Sequence, residues 1–239
     1  MNRIIYFLHI HKSGGSTFIN LAEKNGEKFY SSHKNGNPYD SEDKIIDFWD
    51  YNKEDLLNFL DTEKFTFCAN EHYIKDFHID PKIKYVTVLR HPIDIILSCY
   101  HHESEIFKYK KYFKYFLTEK RSAERLNSII YEQESSYFSG PLVHCLASGK
   151  SVEVAKERLR QFDAIIFVDN YQEDIKVMKD LAGWDFLDVN SCRAGTNRNT
   201  NAKKELNPKL YKKIYRELET DILFYNEVKA KTVNGKFMG

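Results

Sequence analysis

The chain has 239 residues, with 36 Lys plus Arg against 35 Asp plus Glu, a formal charge of +1. That balance excludes a general attraction for nucleic acid, an acidic membrane or a polyanionic polymer, so any anion site must be local. With 42% apolar residues, including 17 Phe and 16 Tyr, the composition is that of a folded chain, and its length suits one large domain over 1–239.

In chain order, the run IIYFLHI at 4–10 is almost wholly apolar and suits a strand buried on both faces. The loop KSGGST follows, and FINLAEK predicts a helix opening at Ser16 or Thr17. Residues 24–44, rich in Asn, Gly, Ser and Pro, predict a loop, and KEDLLNFL at 53–60 a short helix. FTFCAN at 65–70 and IKYVTVL at 83–89 predict two more strands. Pro92 fits the first turn of a helix in which Ile93, Ile96, Leu97 and Tyr100 keep helical spacing. A helix at 151–162, a buried strand at 163–169 and a helix from Tyr171 to about Gly183 come next. Residues 189–206 predict a loop. Asn207 and Pro208 then read as N-cap and first position of a last helix striped by Leu210, Ile214, Leu218, Ile222 and Tyr225. Strands alternating with helices predict an α/β, three-layer fold on a mostly parallel central sheet.

The four cysteines, Cys68, Cys99, Cys145 and Cys192, form no C-x-x-C pair and predict neither a metal knuckle nor a disulfide framework. The apolar run in MNRIIYFLHI is too short for a signal peptide, and none elsewhere approaches a membrane span. The expectation is a cytoplasmic protein with no membrane or nucleic-acid partner.

The segment HIHKSGGSTF at 9–18 concentrates the chemistry. In a strand–loop–helix unit the loop amides and the helix N-terminus point the same way and form a P-loop-like anion site. Gly14 and Gly15 permit close backbone approach, Lys12 adds a full charge, and Ser13, Ser16 and Thr17 add hydroxyls. The plain alternative is a tight turn into a helix. In the nucleoside-triphosphate loop the lysine follows the glycines, whereas here it precedes them. Among the strand ends only Asp169 could hold magnesium, which disfavours a metal-dependent kinase. A second cation, Arg90, ends the 83–89 strand beside a helix N-terminus, with Ser98 about two turns further on. Singly, Arg90 could pair with an acid and Ser98 could be a packing residue. Together, the two motifs suggest a ligand with two separated phosphates.

Here the chain resembles the sulfotransferases that use 3′-phosphoadenosine-5′-phosphosulfate (PAPS), in the branch of the heparan sulfate O-sulfotransferases and their bacterial relatives. HIHKSGGSTF is similar to that branch's 5′-phosphosulfate loop and VTVLRHPIDIILSCYHH to its 3′-phosphate motif; FDAIIFVDNYQEDIKVMKDLAGW and NPKLYKKIY also fit. His91 and Ile95 depart from it, standing where an acid and an arginine are usual. The resemblance implies that Lys12 contacts the oxygen bridging sulfate and phosphate. The backbone from Ser13 through Gly14, Gly15 and Ser16 to Thr17 would hold the 5′-phosphate, and Arg90 and Ser98 the 3′-phosphate. His72 in NEHYIKDF matches the branch's catalytic histidine and would take the acceptor's proton, with His11 as runner-up. Arg193 in CRAGTNRN is the residue expected over the 3′-phosphate or adenine. No metal is required. The alternatives are a zinc site from His9, His11, His101 and His102, and, for the stretch IFKYKKYFKYF at 106–116, either acceptor contacts or ordinary core and solvent. The expected activity is transfer of a sulfuryl group from PAPS, leaving adenosine 3′,5′-bisphosphate (PAP), to a hydroxyl or, second, an amine of a small-molecule acceptor, as in tailoring of a bacterial natural product. A small-molecule kinase and a non-catalytic adenosine-bisphosphate binder are the competing readings.

Overall fold

The computed structural model describes residues 3–29, 65–71, 80–98, 141–147, 151–192 and 208–239, with Asn52, Glu54, Asp55, Leu57 and Asn58. Its centre is a four-stranded sheet of β1 (Ile4–Leu8), β2 (Phe67–Asn70), β3 (Ile83–Leu89) and β4 (Ala164–Phe167), in the order β2-β1-β3-β4. All three pairings are parallel. The described helices are α1 (Gly15–Lys24), α2 (92–98), α3 (Pro141–Ala147), α4 (Val152–Leu159), α5 (Tyr171–Asp174), α6 (Val177–Ala182), α7 (Val189–Cys192), α8 (Pro208–Glu217) and α9 (Glu219–Ala230); Glu54, Asp55, Leu57 and Asn58, within the helix expected at 53–60, are helical too.

Successive strand residues face opposite sides of the sheet, so a strand that is apolar throughout needs cover on both. Ile5, Phe7, Val86, Val88, Ala164 and Ile166 pack on one face with Phe18, Leu21, Met178 and Trp184. Ile4, Tyr6, Leu8, Tyr85, Leu89 and Ile165 pack on the other with Ile93, Ile96, Leu159, Ile214 and Val228. The expected α/β architecture on a parallel sheet is therefore present, with helices on both faces, and all four predicted strands are found.

The boundaries differ for local reasons. Helix α1 opens at Gly15, one or two residues before the expected start, because Gly14 takes the N-cap position with φ of 87°. Strand β4 stops at Phe167 instead of continuing to 169: Asp174 Oδ2 accepts the Phe167 amide at 2.9 Å, and Val168–Asn170 winds into a 3-10 turn. The helix expected from Tyr171 is two, α5 and α6, separated where the amides of Lys176, Met178 and Lys179 bond three residues back. It ends as expected at Gly183, in the left-handed region at φ 69°. Within the loop expected over 189–206, Val189–Cys192 is helical. The last helix is interrupted at Leu218, yet Ile214, Leu218, Ile222 and Tyr225 keep their buried stripe. A C-terminal hairpin of β5 (Thr232–Val233) and β6 (Lys236–Phe237), absent from the sequence reading, turns on Asn234 and Gly235 with φ of 48° and 75°. Among the described residues, no helix is long and apolar enough to cross a membrane.

Candidate functional site

Strand order decides where a site can form. The chain leaves β1 for β2 on one side and returns to lay β3 on the other. The loops after β1 and β3 therefore leave in opposite directions from the carboxyl ends of neighbouring strands, the place where open α/β sheets bind ligands. Lys12 lies in the first loop and Arg90 at the start of the second.

Residues 9–14 fold into a tight turn. Ile10 O accepts both the Ser13 amide at 3.1 Å and the Ser13 hydroxyl at 2.5 Å, and Ser13 is fully buried. Ser13 thus closes the loop from within. Lys12 has φ of 61° and Gly14 of 87°, so two backbone units are held in the left-handed region. The Gly14 carbonyl receives the Thr17 amide at 3.1 Å and the Tyr171 hydroxyl at 3.2 Å. Among the described residues no side chain caps α1, so the first-turn amides of Gly15 and Ser16 are turned outward from the helix end.

Arg90 closes the gap between the two motifs: its Nη1 donates to the Lys12 carbonyl at 2.9 Å. The sequence separates these residues by 78 positions; the parallel pairing of β1 with β3 brings them together. Beyond Arg90, the His91 carbonyl accepts the amides of Asp94 and Ile95 at 2.8 and 3.2 Å, starting α2 with Pro92 buried in its first turn. The His91 ring meets Tyr225 edge-on, with centroids 5.5 Å apart. Ser98 is half-buried, about 9 Å further along α2 by helical rise. It could share a ligand with Arg90 only if that ligand lies along the helix.

His9 continues the β1 face that carries Ile5 and Phe7, the face covered by α1. Its ring stacks on Phe7 with centroids 5.4 Å apart and an interplanar angle of 18°. Nδ1 lies 3.2 Å from Glu71 Oε1 but outside hydrogen-bond alignment. Burial pushes the imidazole down to about 4; the Glu71 carboxylate opposes the shift, and the charges of His11 and Lys12 reinforce it. At neutral pH His9 is uncharged. The opposite ring edge rests on α1: a Cβ added to Gly15 would come within 2.0 Å of both Cδ2 and Nε2. The paired glycines therefore have different causes, Gly14 a backbone conformation and Gly15 an imidazole above it.

Asp169, the one acid expected at a strand end, is already engaged. Its Oδ2 accepts from Lys229 Nζ at 2.7 Å and from the Tyr225 hydroxyl at 3.1 Å. Burial works to raise this carboxyl, but Lys229 and Tyr225 hold it below its ordinary value. Among the described residues, no group of three His, Cys, Asp or Glu is placed to hold a metal ion.

The structure thus gathers Lys12, Ser13, Gly14, Gly15, Ser16, Thr17 and Arg90 at the carboxyl ends of the two central strands and sets Ser98 further down α2. His11 is exposed beside Lys12. His72, Arg193, His101, His102 and the 106–116 stretch lie outside the described residues. Sequence reasoning gave His9 only to a metal site and passed over Glu71 and Tyr171. A polar residue on the Phe7 face of an apolar strand was the available signal for His9; for Glu71 it was its place directly before His72. A scan against models of known protein families finds no match, and a search of the curated proteins finds none either.

Proposed function

We propose that this chain is a PAPS-dependent sulfotransferase acting on a hydroxyl of a small molecule. One observation carries the reading: the guanidinium of Arg90 donates to the Lys12 carbonyl at 2.9 Å, so the two motifs that resemble the 5′- and 3′-phosphate sites lie side by side. The residues suit a doubly phosphorylated nucleoside. An uncapped helix N-terminus after a left-handed Gly14, with a lysine beside it, is a seat for one phosphate. Arg90, at the next strand end, offers a fork suited to another.

Bound there, PAPS supplies a sulfuryl group carried on a phosphate leaving group. Lys12 and the amides of Gly15 and Ser16 offset the charge that develops on the phosphate oxygen as its bond to sulfur breaks. Arg90 and Ser98 grip the 3′-phosphate and fix the nucleoside. His72 takes the proton from the acceptor hydroxyl as its oxygen bonds to sulfur, so the transfer ends with sulfate ester, adenosine 3′,5′-bisphosphate and a protonated base. Lysine and oriented amides supply the positive field that a divalent ion supplies in kinases.

Titration calorimetry with adenosine 3′,5′-bisphosphate, 5′-AMP and 3′-AMP tests the two-phosphate site. The bisphosphate is expected to bind about 100-fold tighter than either monophosphate, since each loses a charge-assisted set of bonds. Incubation with ³⁵S-labelled PAPS and a panel of hydroxyl and amine acceptors, with and without chelator, then separates the readings. Labelled product in chelator supports the transferase; magnesium-dependent phosphate transfer from ATP points to a kinase. Tight bisphosphate binding with neither activity points to a binding module, and no bisphosphate binding ends the proposal.

A further inference from the structure

The loop after β1 places two residues in the left-handed region, Lys12 at φ 61° and Gly14 at φ 87°. In each, a side chain from just beyond a later strand holds the carbonyl. Arg90, after β3, donates to Lys12 O, and Tyr171, after β4, donates its hydroxyl to Gly14 O at 3.2 Å. Tyr171 is only 5% exposed, in the apolar layer that holds Phe18, Ile175 and Cys192. A phenol there costs desolvation unless its hydroxyl is bonded, and Gly14 O supplies the bond. Burial, reinforced by Cys192, pushes the phenol up, so it stays a neutral donor. Asp174 ends β4 at Phe167, and the Val168–Asn170 turn carries the chain back over the loop. Val168 and Tyr171 both lie against Gly14 as a result.

We propose that Tyr171 is a positioning residue, which fixes the peptide plane between Gly14 and Gly15 so that the Gly15 amide faces outward from the loop. This peptide is trans, as are all those described. In a trans peptide the carbonyl and the following N–H point in opposite directions. Holding Gly14 O inward therefore turns the Gly15 N–H outward. The plane lies between two glycines, the residues that resist its rotation least. The amides of Thr17 and Phe18 also reach Gly14 O, at 3.1 and 3.4 Å, but they belong to the turn that this peptide opens. Tyr171 ties the carbonyl to the end of β4 instead. Flipped, the peptide would present an oxygen where a bound phosphate needs a donor. The orientation rests on the contact with Tyr171; its consequence for a 5′-phosphate rests on the sulfotransferase reading.

The test uses the full chain and compares wild type with Tyr171→Phe, which keeps the ring and loses the hydroxyl. Ile175→Val, a trim in the same apolar layer, controls for general loosening. The first readout needs no ligand: the ¹⁵N relaxation order parameter of the Gly15 amide. It should be about 0.85, the rigid value, in ligand-free wild type and in Ile175→Val, and fall below about 0.6 in Tyr171→Phe. The ¹³C resonance of the Gly14 carbonyl should shift with it. The second readout is calorimetry with 5′-AMP and 3′-AMP. Tyr171→Phe should weaken 5′-AMP about fivefold, the scale of one net hydrogen bond, and leave 3′-AMP within about twofold. Ile175→Val should leave the ratio of the two affinities unchanged. A mobile Gly15 amide in ligand-free wild type overturns the proposal, as does an order parameter that Tyr171→Phe does not lower. Equal weakening of both nucleotides in Tyr171→Phe, or a matching change of ratio in Ile175→Val, reduces Tyr171 to a core residue and overturns it too. If wild type binds neither nucleotide, the sulfotransferase reading falls, and the order parameter alone still decides whether Tyr171 holds the peptide.

Discussion

Two helix N-termini in this protein are finished in opposite ways. At α3, Asp221 reaches across from α9, and its two carboxylate oxygens accept the amides of Leu142 and Val143 at 2.8 and 3.1 Å. That helix end is satisfied from inside the protein, by a side chain only 1% exposed. At α1 no described side chain caps the first turn, and the basic side chains on the loop are Lys12 and His11. The same orphan amides and the same partial positive charge occur at both ends. One is neutralised from within the fold; at the other, no described side chain does the same. The difference teaches that a missing cap gains meaning when the surrounding charge is also wrong for an internal one.

The comparison can be broken at its open end first. Lys12→Ala should cut sulfuryl transfer from PAPS by about 10²- to 10³-fold, the scale for losing a preorganised charge at a developing oxyanion. Folding should be preserved, with a circular-dichroism melt within a few degrees of wild type; an unchanged rate would remove Lys12 from the site.

The closed end should respond in stability, not rate. Burial pushes the Asp221 carboxyl up to about 6, against the two amide bonds that favour its charged form. Its folded value lies above the ordinary 3.8. The associated stability is therefore full below that ordinary value and lost as pH rises through about 6. His9, pushed down to about 4 from 6.5, has the opposite sign: its contribution is full above 6.5 and lost as pH falls through about 4. Each spans about 3 kcal/mol. Urea unfolding from pH 4 to 7 should show the free-energy difference between Asp221→Asn and wild type moving by that amount, and His9→Phe moving with the reverse slope. Parallel curves for all three proteins would contradict both assignments.

Asp221→Ala should cost about 2 kcal/mol at neutral pH by leaving two amides without their acceptor, read from the urea midpoint. The smallest expected effect sharpens the open end. Gly14→Ala should cost about 1–2 kcal/mol, because φ of 87° is strained for any L side chain and a Cβ would sit 3.4 Å from Val168 Cγ2. If Gly14→Ala costs nothing, the loop has another conformation.

Much of this was legible from local pattern. Continuous apolar runs such as IKYVTVL gave all four strands, because a parallel strand buried on both faces leaves a one-dimensional signature. The loop at 9–18 and Arg90 were legible for the same reason: glycine, lysine and arginine next to strand ends carry their own chemistry. What stayed hidden was relational. Nothing local says that the Ser13 hydroxyl turns inward to Ile10, that Asp174 ends β4, or that Asp221 caps a helix 79 positions away. The use of Gly15 was invisible because its cause, His9, reaches it only through the packing of α1 on β1. The C-terminal hairpin is a different kind of omission. Asn234-Gly235 is a strong two-residue turn signal, and strands of two residues each are too short to show alternation around it.

That small hairpin has a consequence for the whole sheet. The Gly235 carbonyl accepts the Ile165 amide at 2.8 Å, on the outer side of β4. At the far edge, Lys28 O accepts the amides of Thr66 and Phe67 at 2.8 and 3.1 Å, and Phe29 bridges to Phe67. Each margin of the parallel sheet is thus met in part by the chain's own backbone, at Ile165 on one side and at Phe67 on the other, where a stray strand would otherwise dock. A protein built this way is guarded against edge-to-edge clumping, and a break in the Asn234-Gly235 turn would first show as turbidity in a concentrated sample.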